Sequence, residues 1–139
     1  MKKRNLGLLL LSSLVFALSC SNESDVKEKI IGKWEMTKVK ELSEDVTQRH
    51  NPNSDRWIRF TENAAIENGG IFETGRGNTK ENSGKWFYNE KENELYLDSD
   101  AGEDDDSYWS VTIEGGTMTW KGRKFEFNKR FEIEHSRVK

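Results

Sequence analysis

Residues 107–134 read SYWSVTIEGGTMTWKGRKFEFNKRFEIE, with apolar and polar residues alternating through most of the stretch. A period of two sends successive side chains to opposite faces, so the segment reads as half-buried β structure. Gly115-Gly116 is a two-residue hairpin signal, because tight hairpin turns need positive φ, which glycine adopts without strain. Folding the chain there sets Ile113 opposite Met118 and Val111 opposite Trp120, which puts the apolar residues of both strands on one face. A second tight turn at Gly122-Arg123 sets Trp120 opposite Phe125 and Met118 opposite Phe127 on that same face. Three consecutive strands then form an antiparallel meander.

The same test works upstream. A turn across residues 90–93 places Tyr88 opposite Leu95 and Trp86 opposite Leu97, with Phe87 and Tyr96 on the reverse face. Earlier strands are expected at 33–41, 56–62 and 65–76, the last with a bulge at Gly69-Gly70. Trp57 is out of phase with Ile58 and Phe60 and so faces outward. The total is eight strands. Their connections sort by end: 42–55, 77–83 and 99–107 are long and polar at one end, and the turns near Asn63, Lys91 and Gly115 are short at the other. Only Gly122-Arg123 is a short turn at the long-loop end. Such a meander is best closed as an all-β, antiparallel up-and-down barrel, which removes both sheet edges. An eight-stranded barrel is just wide enough to be filled by side chains or to hold one small ligand.

The N-terminus carries different information. Residues 1–19, MKKRNLGLLLLSSLVFALS, combine Lys2, Lys3 and Arg4 with an apolar run too short to span a bilayer, the pattern of a secretory signal peptide. Its end, ALSC, resembles the lipobox of bacterial lipoproteins, which implies that Cys20 is lipidated and becomes the first mature residue. A single cysteine excludes an intramolecular disulfide. Residues 20–31 then comprise the anchor, an acidic tether and a short helical turn, and 32–139 the barrel. Removing three cations takes the formal charge from −3 to −6, which disfavours nucleic acid as a partner. The expected location is the bacterial cell envelope, lipid-anchored to a membrane, foremost the outer membrane, with the domain facing the periplasm or the surface.

A helical turn followed by Gly32-Lys33-Trp34 at the start of the first strand resembles the lipocalins, in which this Gly-x-Trp sits at the closed end and the tryptophan plugs the floor. The small lipocalin-like domains of bacterial lipoproteins are the nearer likeness, with a second GKW at Gly84 opening a strand before a charged hairpin. The resemblance implies a long first loop folded over the mouth, here Leu42 to Asp55, and an arginine stacked on the tryptophan. Arg130 is the residue placed near that role; either it covers Trp34 from outside or it is simply solvated.

Two function classes follow. In the first, the barrel mouth binds a small hydrophobic molecule non-covalently, with Trp86, Trp109, Trp120 and Phe125 supplying stacking area and Tyr88 a polar handle. In the second, the aromatic stripe fills the barrel, and the protein is a structural or adapter lipoprotein that contacts another envelope protein or a glycan. An enclosed cavity well below about 300 Å³ argues against a carrier. The acidic run from Asp98 to Asp106 departs from the EF-hand pattern and reads as a solvated loop, so no metal is expected. His50 and His135 have no partner at ligand or triad spacing, and no nucleophile or phosphate-cradling motif is present, so the reading is a non-enzyme without cofactor.

Overall fold

The computed structural model describes residues 25–139. The signal segment 1–19 and Cys20 lie outside the described residues. Helix α1 (Asp25–Ile30) leads into β1 (Gly32–Glu41), followed by β2 (Glu44–Asp45), the helical turn α2 (Thr47–His50) and β3 (Arg56–Glu62). Then come β4 (Gly69–Arg76), β5 (Thr79–Asn89), β6 (Glu94–Ser99), a 3-10 turn at Glu103–Asp105, and β7 (Ser107–Glu114). The chain ends with β8 (Thr117–Gly122), the helical turn α3 (Glu126–Lys129) and β9 (Phe131–Arg137).

Every strand pairing is antiparallel, neighbours follow chain order, and β9 returns to β1 with Phe131 opposite Glu41 and Arg137 opposite Trp34. The result is a closed eight-stranded up-and-down barrel, with β2 only a two-residue hairpin arm on the end of β1. Closure gives each barrel strand two partners and leaves no long free edge.

The registers read from alternation hold where two strands flank an unambiguous turn. Val111 pairs with Trp120 and Ile113 with Met118; Trp86 pairs with Leu97 and Tyr88 with Leu95. Interior positions form one apolar core through the barrel, from Ile30 and Trp34 at the floor through Phe60, Phe72, Trp86, Leu95 and Met118 to Trp109, Trp120 and Phe131.

Two connections and one expected bulge differ from expectation. The chain does not turn back at Gly122-Arg123. An eight-residue loop carries α3, β9 starts only at Phe131, and Trp120 pairs with Ile133 and Met118 with His135. The buried side chain of Asn128 builds this loop: its Oδ1 accepts from the Arg123 backbone N–H at 2.8 Å. Its carbonyl lies 1.8 Å from where a Cβ on Gly122 would sit, so only glycine fits there. Phe125 and Phe127 continue the apolar alternation into a segment that is not a strand, and two in-phase registers were therefore available to the sequence. With the longer loop, Gly122-Arg123 is no longer the exception to the long-loop rule; the tight turn between β4 and β5 takes its place.

Residues 77–83 are the converse case. β4 and β5 run on to a tight turn at Gly77-Asn78, with Gly77 at φ +51°, and the polar residues from Thr79 are strand. Cross-strand pairs Glu73–Lys80 (3.2 Å) and Arg76–Glu81 (3.2 Å) line this polar extension. Gly69 and Gly70 pair in register with Phe87 and Trp86 rather than bulging, and the register shift lies at Thr74/Gly75. Both glycines are needed for close approach: a Cβ would meet Trp86 O at 1.9 Å from Gly69 and Thr61 O at 1.8 Å from Gly70.

Candidate functional site at the barrel mouth

The two ends of the barrel are built for different purposes. At the floor, the Trp34 indole N–H donates to Ile30 O at 2.8 Å, which ties α1 across the barrel end. Arg137 lies over the Trp34 ring at 4.2 Å and donates to Ile31 O at 2.9 Å and to Lys29 O. Gly32 has φ +132°, and a Cβ there would sit 2.5 Å from Arg137 Nη1. Gly32, Trp34 and Arg137 thus close the floor as one unit. Arg130 does not take part: it ends α3 at the mouth, just before β9, 4.0 Å from Glu41 and over the exposed Phe127 ring at 5.4 Å. The early placement of β9 in the sequence reading put the wrong arginine at the floor. Arg137 was missed because residues past Glu134 show no alternation.

The residues expected to bind a ligand divide between three places. Trp109 and Trp120 meet at the mouth with ring centroids 5.4 Å apart. Trp86 does not join them. Lengthening β5 to Thr79 moves it down the barrel, where it is fully buried and its indole N–H donates to Thr61 O at 3.0 Å. Tyr88 lies lower still, its hydroxyl 3.0 Å from Asn93 Oδ1 in the floor turn. Phe125 is outside, 59% exposed. It extends an outer aromatic row in which Phe87 stacks on Tyr96, Tyr96 on Tyr108, and Phe125 tilts against Tyr108 at 5.8 Å.

At the mouth a cavity of about 180 Å³ opens between Ile58, Leu97, Trp109, Trp120, Arg56 and His135. Trp57 edges it while facing outward, its indole N–H on Gly77 O at 2.8 Å and Lys33 over its ring at 4.9 Å. A second hollow of about 430 Å³ lies between the acidic loop and the α3 segment, and shares Trp109 and Ser107 with the first.

Polar residues of the cavity escaped the sequence reading, Arg56, Glu81 and His135 among them. Arg56 is in phase with Ile58 and Phe60, so β3 carries its guanidinium to the inner face at the mouth. Its pKa is lowered by burial first and by Arg76 second, with Glu81 and Asp55 opposing. The first loop presents it: Asn51, buried, donates from Nδ2 to Met36 O at 2.8 Å, and its Oδ1 accepts from the Asp55 and Arg56 backbone N–H groups, each at 3.1 Å. His135 sits in β9 opposite Met36 and Met118, with its ring 4.4 Å from that of Trp120. Burial pushes its pKa down to about 3, so the imidazole is neutral at physiological pH. The phase rule would have found Arg56; His135 needed the correct start of β9.

In the acidic loop, Asp106 accepts from Ser99 N at 2.8 Å and from the Tyr96 hydroxyl at 3.0 Å, which holds the phenol's pKa well above its usual value together with the larger effect of burial. Among the described residues, no three His, Cys, Asp or Glu side chains converge as metal ligands. No family model and no curated protein matches the chain.

Proposed function

We propose that the protein is a bacterial envelope lipoprotein of the lipocalin-like kind, anchored by lipid on Cys20, whose barrel mouth binds a small, largely apolar molecule non-covalently. The observation that carries this reading is the mouth cavity of about 180 Å³ walled by Trp109, Trp120, Ile58 and Leu97, above a barrel that is otherwise packed with side chains. The cavity is well below the roughly 300–1,000 Å³ of pockets that enclose drug-sized ligands, which argues against a carrier that encloses its cargo and removes long acyl chains; what remains is binding at an open mouth. A ring-sized molecule, or one ring of a larger molecule standing out of the mouth, is what fits. The chain reaches the barrel through α1 at the floor, which supports a mouth directed away from the anchoring membrane. No catalytic step is assigned to the site.

The adapter reading has one observation of its own. Phe125 and Phe127, 59% and 64% exposed, stand at the rim beside the acidic loop, an apolar and negatively charged surface suited to a partner rather than to an enclosed ligand.

Native mass spectrometry of the domain from Ser21, purified from the envelope of its own cell without stripping, separates the two. Binding predicts a single small-molecule mass above the bare chain, lost on gentle activation. A bare mass at every collision energy, with a protein partner retained instead, would favour the adapter.

A further inference from the structure

The five tryptophans are not equally satisfied. The indole N–H groups of Trp34, Trp57, Trp86 and Trp109 donate to Ile30 O, Gly77 O, Thr61 O and Ser107 Oγ at 2.8, 2.8, 3.0 and 2.8 Å. Trp120 Nε1 and Arg56 Nε are buried without a partner among the described residues, and His135 Nδ1 has none at full hydrogen-bonding geometry, its imidazole being supported only by the Met118 backbone. All three residues line the mouth cavity. Trp120 and His135 are 4% and 2% exposed, so bulk water does not reach them freely. Buried polar atoms in folded proteins nearly always have partners. Of the six such side-chain atoms among the described residues, three belong to residues around this one cavity, and these describe what it contains as much as its walls do.

The apolar wall and the orphans specify different parts of an occupant. Trp109, Ile58 and Leu97 call for a hydrocarbon body, and a cavity of about 150 Å³ is known to suffice for benzene. Trp120 Nε1 is a donor only, and a guanidinium has no acceptor capacity. The neutral His135 ring can complement either, according to its tautomer.

We propose that the mouth cavity is a binding site for a ring-sized organic molecule bearing an acceptor oxygen, carbonyl or carboxylate, received by Trp120 Nε1 and Arg56 while Trp109 stacks on its apolar body. This rests on the binding function proposed above and adds the ligand's chemical class. The pKa of Arg56 is lowered by burial first and by Arg76 second, with Glu81, itself a residue of the cavity wall, and Asp55 opposing. A plain hydrocarbon would leave the three polar atoms unpaired and bind less well for that reason.

The test uses the full chain in lipid nanodiscs, with empty nanodiscs as the partition control, titrated with acetophenone, benzoate and the hydrocarbon cumene by tryptophan fluorescence. The expected result is at least tenfold tighter binding of acetophenone or benzoate than of cumene. Trp120→Phe keeps a ring and removes the donor; it should cut that preference at least fivefold with cumene affinity little changed. Arg56→Gln, at the half-buried rim, should do the same and carries the test if Trp120→Phe does not fold. Equal affinity for cumene overturns this inference while leaving apolar binding standing. A preference for oxygen that survives in both variants places the oxygen elsewhere and also overturns it. No binding by any probe, with nothing retained in the natively purified protein, overturns both this inference and the function beneath it.

Discussion

Replacing Arg137 with alanine removes three floor contacts at once: the cation over Trp34 at 4.2 Å and the hydrogen bonds to Ile31 O and Lys29 O. A cation over an indole at an exposed site contributes roughly 0.5–1 kcal/mol. Hydrogen bonds from a charged donor contribute about 1.5–3 kcal/mol each when buried, and solvent access to Arg137 cuts the pair to about 1–2 kcal/mol together. The expected loss is about 2 kcal/mol, or about 8 °C in Tm for a domain of this size. Arg137→Lys keeps the charge without the planar fork and should lose about half as much. Arg130→Ala is the control, since a half-exposed pair with Glu41 at 4.0 Å is worth at most about 0.5 kcal/mol. Urea denaturation of the domain from Ser21, followed by tryptophan fluorescence, measures all three. Gly32→Ala should destabilise by a similar amount because φ +132° strains any L residue and its Cβ displaces the flexible end of Arg137 from the floor, and the double variant should cost at least about 0.5 kcal/mol less than the two losses added. A loss below about 0.5 kcal/mol for Arg137→Ala, or an equal one for Arg130→Ala, would refute the floor assignment.

Three further outcomes follow from packing and charge. Gly70→Ala brings a Cβ within 1.8 Å of Thr61 O and 2.8 Å of Trp86 Nε1 and should cost more than about 2 kcal/mol; Gly116→Ala, with nothing within 4 Å, should stay within about 0.5 kcal/mol in the same denaturation assay. The folded-state pKa of His135, down to about 3, lies below the roughly 6.5 of an unfolded histidine. Its contribution to stability is therefore complete above about pH 6.5 and declines as pH falls toward 3, with a limiting slope of about 1.4 kcal/mol per pH unit; His135→Gln should flatten that limb of the urea-midpoint profile. Trp86→Ala should cost about 3–5 kcal/mol of stability without forming part of the binding surface. Trp109→Ala should weaken ligand binding in a titration of folded protein, and the reverse pattern would return the site to the lower barrel.

How much of this was legible depended on turns more than on strands. Gly115-Gly116 is bracketed by two alternating runs with one register that buries everything, and that register is the observed one. Around Gly122, Phe125 and Phe127 offered a second in-phase register, and what excludes it is a tertiary fact: Asn128 is buried against Gly122. Polar residues 79–83 read as loop because strand that extends past the core needs no apolar alternation. Both errors slid strand residues along the barrel axis while leaving them on the correct face, whereas Phe125 and Phe127, expected inside, lie in the loop and are exposed. For that reason Trp86, Tyr88, Trp109 and Trp120 are all interior as expected, yet only the last two share the mouth cavity. The second GKW consequently opens no ligand site: Gly84 lies where a Cβ would meet Asp98 O at 2.1 Å, and its tryptophan is core.

The most direct test of the account is a crystal structure, at a resolution that distinguishes water from organic density, of protein purified without stripping. Binding at the mouth predicts one compact non-water molecule against Trp109 and Trp120, its oxygen within hydrogen-bonding distance of Trp120 Nε1. Ordered water alone in that cavity, or a side chain folded into it, would contradict the account.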